Sequence, residues 1–229
     1  MNLSPQTLPL SALSENVVWN LHPWALDFIP QSTLNSLHNS GILHPPIIFH
    51  PENTEIYQVL CGQRRICYAR NNMASEDTIL CLVITKASHI GKLLDLILED
   101  QLQTGNLSLP EKAQFLKIAL QYYTEDEVIN NYRTRLGISL RKGSINKLLL
   151  VLEEPSFIIQ AIHNNLLTEK FALELLNNTT QEERKNLVKI FLRLGMGGGK
   201  QKKLFEMVRD CAARQGIPIS ELLNNAAIQ

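Results

Sequence analysis

Residues Tyr57 to Arg70 read YQVLCGQRRICYAR, and the rest of the chain can be placed around them. The apolar run Val59-Leu60-Cys61 ends at Gly62. Gln63, Arg64 and Arg65 follow, and Ile66, Tyr68 and Ala69 then resume at helical spacing. This pattern predicts a strand, a tight turn and a helix start. Glycine at such a junction lets backbone approach a ligand, and the first N–H groups of a helix have no partner within it. With two guanidinium groups beside them, these are the ingredients of an anion site, most naturally one for phosphate. The competing reading is a plain strand-to-helix turn whose arginines are solvated or pair with nearby carboxylates.

The flanking sequence supplies the remainder of a small α/β domain. Gln31 to Ser40 spaces Leu34 and Leu37 for a short helix stopped by Gly41. Ile42 to Phe49 contains Pro45 and Pro46, which exclude helix, and reads as a strand that forms a hairpin with Ile56 to Leu60. Thr78 to Thr85 is a buried strand by composition, and Ser88 to Leu102 is a helix with Ile90, Leu93, Leu94, Ile97 and Leu98 on one face. Residues 1–20, polar and punctuated by proline, read as an arm or an edge element.

Beyond Thr104-Gly105-Asn106 the pattern is helical throughout. Leu109 to Tyr123 forms one helix, and Thr124 with Glu127 is a capping box that opens the next, ending near Leu136-Gly137. Ser139 to Leu152 reads as a helix anchored by Leu148, Leu149 and Leu150, and further helices are expected at 156–167, 168–177, 180–194 and 201–215, with a last turn from Ser220. The expected fold class is therefore α+β. Residues 1–20 are an arm, 21–104 a mixed-sheet α/β domain, 105–180 a helical domain and 181–229 a set of C-terminal helices.

The net charge is zero, but the two halves differ. Through residue 130 there are 7 Lys/Arg against 13 Asp/Glu, and from 131 onward 15 against 9. That asymmetry assigns a polyanionic partner to the second half. Two helices joined at Leu136-Gly137-Ile138-Ser139 fit a helix-turn-helix, and no acid lies between Glu127 and Glu153. Ser139, Arg141, Lys142, Ser144, Asn146 and Lys147 would sit near the start of the second helix and read double-stranded DNA. Arg133 and Arg135 would contact its backbone. An ordinary helical corner with a solvated basic face is the alternative.

A second basic stretch runs from Arg184 to Lys203, with Gly195 to Gln201 as its glycine-rich centre. A Walker A loop needs a glycine at the position of Leu194 and Ser or Thr where Gln201 stands. A flexible hinge presenting Lys200, Lys202 and Lys203 to DNA backbone is expected instead. The four cysteines form no CxxC pair and the six histidines no ligand spacing, so no metal site is expected. No apolar run reaches the roughly 18 residues of a membrane span, and a cytoplasmic protein is expected.

In order, Leu34-x-x-Leu37-x-x-Ser40-Gly41-Ile42-Leu43-His44-Pro45-Pro46-Ile47, Tyr57 to Arg65 and Leu82-Val83-Ile84 resemble the N-terminal domain of ParB-type partition proteins. Pro110 to Leu176 is similar to the helix-turn-helix domain that follows it in that family. The resemblance covers residues 20–180. It implies a cytidine nucleotide such as CTP, with Mg, in the first domain, specific DNA binding by the second, closure into a DNA clamp, a homodimer and a partition ATPase as partner. Gly62, Arg64 and Arg65 match the family's nucleotide turn, whereas Gln63 replaces its glutamate, which implies binding without robust hydrolysis. Asp100, Gln101 and Thr104 stand nearest its second phosphate motif, whose arginine Thr104 replaces. The same superfamily contains enzymes, so a CTPase or small-molecule kinase is the alternative to a DNA-binding regulator of partition or transcription. Sulfiredoxin-like chemistry is disfavoured, because Cys61 precedes the turn glycine.

Overall fold

Val59 to Cys61 and Gln63 onward form the strand and helix that the central stretch requires, in a computed structural model that describes residues 3–14, 18–23, 31–52, 54–85, 89–138 and 143–224. The architecture is α+β, with one four-stranded mixed sheet and an all-helical remainder. Strands β1 (Ser4–Pro9), β2 (Ile47–Phe49), β3 (Gln58–Cys61) and β4 (Thr78–Ile84) lie in the order β1-β4-β2-β3. β1 runs antiparallel to β4, β2 parallel to β4, and β2 antiparallel to β3 with a register shift between Ile47 and Ile48. The expected hairpin is present, but its first strand begins at Ile47 rather than Ile42. Pro45 and Pro46 have no N–H to donate, and Pro46 enters the sheet only as an acceptor, its carbonyl taking a bond from the Leu82 N–H at 2.9 Å.

Of the two readings of the N-terminal residues, an arm or an edge element, the second is found. Ser4–Pro9 is a complete edge strand, in register from Ser4 opposite Val83 to Pro9 opposite Thr78. Its prolines are tolerated because an edge strand needs only half its N–H groups for the ladder. Leu8, Leu10 and Leu13 then join Ile48, Val59, Ile66, Ala69, Ile79, Cys81 and Val83 in one core. Fully burying each of the larger members stabilises the fold by about 1.5–3 kcal/mol.

The chain divides into two compact units, Met1–Leu107 with Gln114–Ile138, and Ser108–Ala113 with Ser139–Gln229. The first therefore extends past the expected break at residue 104. Besides the sheet it contains α1 (Gln31–Ser40), α2 (Gln63–Asn72), α3 (Ile90–Thr104), the later residues of α4 (Leu109–Ala119) and α5 (Glu125–Leu136). Leu93, Leu94, Ile97 and Leu98 of α3 are buried as the periodicity requires. Phe115 and Tyr132 meet edge to face, with centroids 5.0 Å apart. The capping box at Thr124 and Glu127 is formed from both sides, and Gly137 ends α5 with φ of 62°.

The second unit contains α6 (Ile145–Leu149), α7 (Ser156–His163), α8 (Glu169–Asn178), α9 (Gln181–Arg193), α10 (Gly198–Gln215) and α11 (Ile219–Asn224). Phe171 is its hub, 5.9 Å from the ring of Phe191 and 6.0 Å from that of Phe205. Arg184 is tied to the buried carboxylate of Glu154 at 2.7 Å and to the Thr179 carbonyl. Glu183 serves two helices at once. Its Oε2 accepts from the Thr180 N–H at the start of α9 (2.9 Å), and its Oε1 from the Ser220 N–H in α11 (3.2 Å).

Among the described residues no strand follows β4, and no helix is long and apolar enough to cross a membrane. Truncating Glu183→Ala leaves both helix ends without their carboxylate and is expected to cost about 2 kcal/mol. Urea denaturation should show a lowered midpoint with an unchanged slope, whereas a shift below about 0.5 kcal/mol would remove Glu183 from this role.

Candidate functional site

The site is built at the β3–α2 junction, where the chain must turn from an extended to a helical path within one residue. Gly62 does this at φ 91° and ψ 24°, as the N-cap of α2, and no side chain caps that helix end. A Cβ at Gly62 would lie 2.9 Å from the Arg65 guanidinium. Arg65 is folded back over the glycine, donating to the His44 carbonyl and, at 3.3 Å, to that of Pro45. The two adjacent arginines thus have different environments. Arg65 is a strut between the turn and the approach to β2, whereas Arg64 is half-buried and no group among the described residues hydrogen-bonds or ion-pairs with it.

Gln63 is also committed to the protein, its Nε2 donating to the Val59 carbonyl at 2.8 Å. A glutamate could not make this bond, so the amide at this position has a local structural use. Asp100 and Gln101 come from α3. Gln101 Oε1 lies 3.2 Å from His22 Nε2, and Asp100 faces the Cys61 thiol. Burial first, and then the charge of Asp100, push that thiol far above its ordinary range. It is therefore a buried neutral group and no nucleophile.

Gly62, Gln63, Arg64, Arg65, Asp100 and Gln101 line one cavity of about 420 Å³, which gathers all six residues proposed from sequence for nucleotide. Trp19, Asn20 and His22 line it too, although sequence reasoning left them in an uninterpreted segment. Trp19 is fixed by a stack on Tyr122 at 5.6 Å and by donation from its Nε1 to Gln58 at 2.9 Å. The available signal was the Asn-Leu-His order, because Asn20 Oδ1 accepts from the His22 N–H at 2.9 Å and so makes a local turn. The side chain of Thr104 lies outside the described residues.

The basic candidates fare differently. Arg135 is not free for a nucleic-acid backbone, since it pairs with Asp95 at 2.5 Å and Glu99 at 2.7 Å. Arg133 is exposed on α5. Ser139, Arg141 and Lys142 lie outside the described residues. The expected helix over 139–152 is interrupted, because Gly143 takes φ of 78° and α6 starts only at Ile145, followed by a 3-10 turn over Leu150–Glu153. Ser144 is the N-cap of α6, and Asn146 and Lys147 are exposed on it. Leu148 is buried, but Leu150, expected as an anchor, is 42% exposed.

Lys200, Lys202 and Lys203 are exposed, yet they belong to α10 rather than to a flexible loop. Gln201 fixes that helix start from within, its Nε2 donating to the carbonyls of Leu166 at 2.8 Å and Met196 at 2.7 Å. Lys202 also faces Glu206 at 3.9 Å.

No family model and no curated protein matches the chain. Among solved structures it is similar to the C-terminally truncated chromosome-partitioning protein ParB from Caulobacter crescentus complexed with CTP-gamma-S, at 17% identity and a TM-score of 0.35, over 82% of this chain and 99% of that one. It is also similar to the same truncated protein complexed to the centromeric parS site, at 17% identity and a TM-score of 0.40, over 87% and 97%.

Gly62→Ala forces a side chain into the left-handed region and against Arg65. The left-handed conformation alone costs roughly 1–2 kcal/mol. A stability loss of at least about 2 kcal/mol in urea is expected once the Arg65 strut is displaced as well. A variant as stable as the parent would show that the turn does not depend on this glycine.

Proposed function

We propose that this is a ParB-like DNA-binding protein, acting in plasmid or chromosome partition or in transcriptional regulation, whose first unit binds a nucleotide without robust hydrolysis. The observation that carries the nucleotide reading is Arg64. A half-buried guanidinium whose Nε has no partner among the described residues, beside an uncapped helix start and in a cavity of about 420 Å³, is suited to donate its hydrogen bonds to an anion. Phosphate oxygens suit both the cation and the first N–H groups of α2.

The ordered motifs at Gly41 to Ile47, Tyr57 to Arg65 and Leu82 to Ile84 support the family reading, and CTP is the nucleotide that this reading selects. Magnesium is compatible with the residues present. Asp100 is the only carboxylate lining the cavity among the described residues, and Mg²⁺ bound through phosphates needs one or two. When bound, the ion would neutralise phosphate charge. The chain's own part is to hold the phosphates through Arg64 and the start of α2, with Asp100 facing them. Gln63 offers no carboxylate to orient a water, and its amide is already engaged with Val59. Slow or absent turnover follows.

The DNA reading rests on the basic run between Glu127 and Glu153, where Arg133, Asn146 and Lys147 are exposed. Phosphate contacts release counterions, so the logarithm of the affinity for duplex DNA should fall linearly with the logarithm of salt concentration. Titrating random-sequence duplex DNA by fluorescence anisotropy tests this. Lys147→Ala is expected to reduce the salt slope by about 1. In parallel, Arg64→Ala should weaken CTP binding about tenfold or more while leaving the DNA slope intact. Binding of DNA that does not respond to salt, or no binding, would overturn the DNA reading. CTP turnover abolished by Arg64→Ala would instead establish the superfamily's enzymatic alternative.

A further inference from the structure

Asn20 is 1% exposed, yet its Nδ2 has no hydrogen-bond partner among the described residues. Buried amides are almost always paired, and leaving one donor unmade has an energetic cost that a folded protein usually avoids. The assignment of its two amide atoms is fixed by the surroundings. The backbone N–H of His22 donates at 2.9 Å to the atom on one side, which must therefore be the oxygen. The Asn20 carbonyl is tied down as well, accepting from Gln114 Nε2 at 3.3 Å. Backbone and oxygen are both held, and the NH₂ is left over.

That residue lines the same cavity as Gly62 and Arg64. The cavity therefore has two groups in want of partners, a guanidinium whose Nε is buried and unpaired, and a neutral amide donor from a different part of the chain. A bare phosphate satisfies the first alone. We infer that Asn20 is a specificity-determining residue of this site, its Nδ2 donating to an acceptor on the nucleoside part of a bound nucleotide while Arg64 takes the phosphate end. The bond from the His22 N–H to Oδ1 fixes the plane of the carboxamide and with it the direction of Nδ2, whose N–H groups are left for a carbonyl, ring nitrogen or hydroxyl of the ligand. This inference rests on the nucleotide reading of the cavity and adds the group that separates a nucleotide from a simple polyphosphate.

The test compares CTP with inorganic triphosphate by calorimetric titration of the full chain. Asn20→Asp keeps an oxygen for the His22 N–H and replaces the free donor with an acceptor. Asn20→Ser also keeps an acceptor for that turn but shortens the side chain and removes the amide, which provides a second variant if the aspartate destabilises the fold. Thermal melting confirms folding in each case. The expected result is that the parent prefers CTP, and that the ratio of CTP to triphosphate affinity falls about tenfold or more in either variant, because the bound acceptor loses its donor. An unchanged ratio, or a parent that binds CTP no more tightly than triphosphate, would overturn the role of Asn20 while leaving the anion site standing. A parent that binds neither ligand would overturn the nucleotide reading and this inference together.

Discussion

The guanidinium of Arg65 holds together the two pieces of chain that make the cavity wall. Pro45 and Pro46 bring β2 into the sheet without N–H donors, and the carbonyls of His44 and Pro45 meet a single side chain reaching across from α2. Arginine can do this because its planar fork carries several donors in fixed directions. The same group lies over Gly62, so the left-handed turn, the proline segment and the first turn of α2 constrain one another. Its neighbour Arg64 is left without such an engagement. Two adjacent residues of the same type thereby acquire different environments, one engaged with backbone carbonyls and one with a buried Nε that has no partner among the described residues.

The strand, glycine and helix of YQVLCGQRRICYAR were legible because each has a strong local cause: a short apolar run, a position that favours glycine and a return to helical spacing. The capping box at Thr124 and Glu127 was legible for the same reason. Tertiary effects were not. β1 is polar and contains prolines, and only the pairing offered by β4 makes it a strand. Helix α10 begins at Gly198 despite the glycines, since Gln201 is held inside by two carbonyls whose positions no local pattern reveals. In the other direction, the apolar spacing after Ser139 suggested a longer helix than Gly143 allows. Arg64 and Arg65 looked alike in sequence because the carbonyls that distinguish them lie some twenty residues upstream.

Formal charge overstated the cations available for a polyanion. Arg135 belongs to the basic run by sequence, but the acidic face of α3 neutralises it through Asp95 and Glu99. Arg184 is likewise consumed by the buried Glu154 and the Thr179 carbonyl. Of the cations assigned to DNA, those exposed among the described residues are Arg133 on α5, Lys147 on α6 and Lys200, Lys202 and Lys203 on α10. A charge census becomes informative about a partner only after such internal pairs have been removed from it.

The placement of prolines in β1 has a consequence for neighbouring molecules. In an antiparallel ladder alternate residues point their N–H and C=O groups away from the partner strand. Pro5 and Pro9, opposite Leu82 and Thr78, fall on the same alternate set as Thr7. That outward set is the one proline can occupy without breaking the ladder, so Thr7 supplies its sole remaining N–H. An incoming strand would find acceptors along this border but almost no donors. Strand addition at the β1 border is thus discouraged by the prolines themselves.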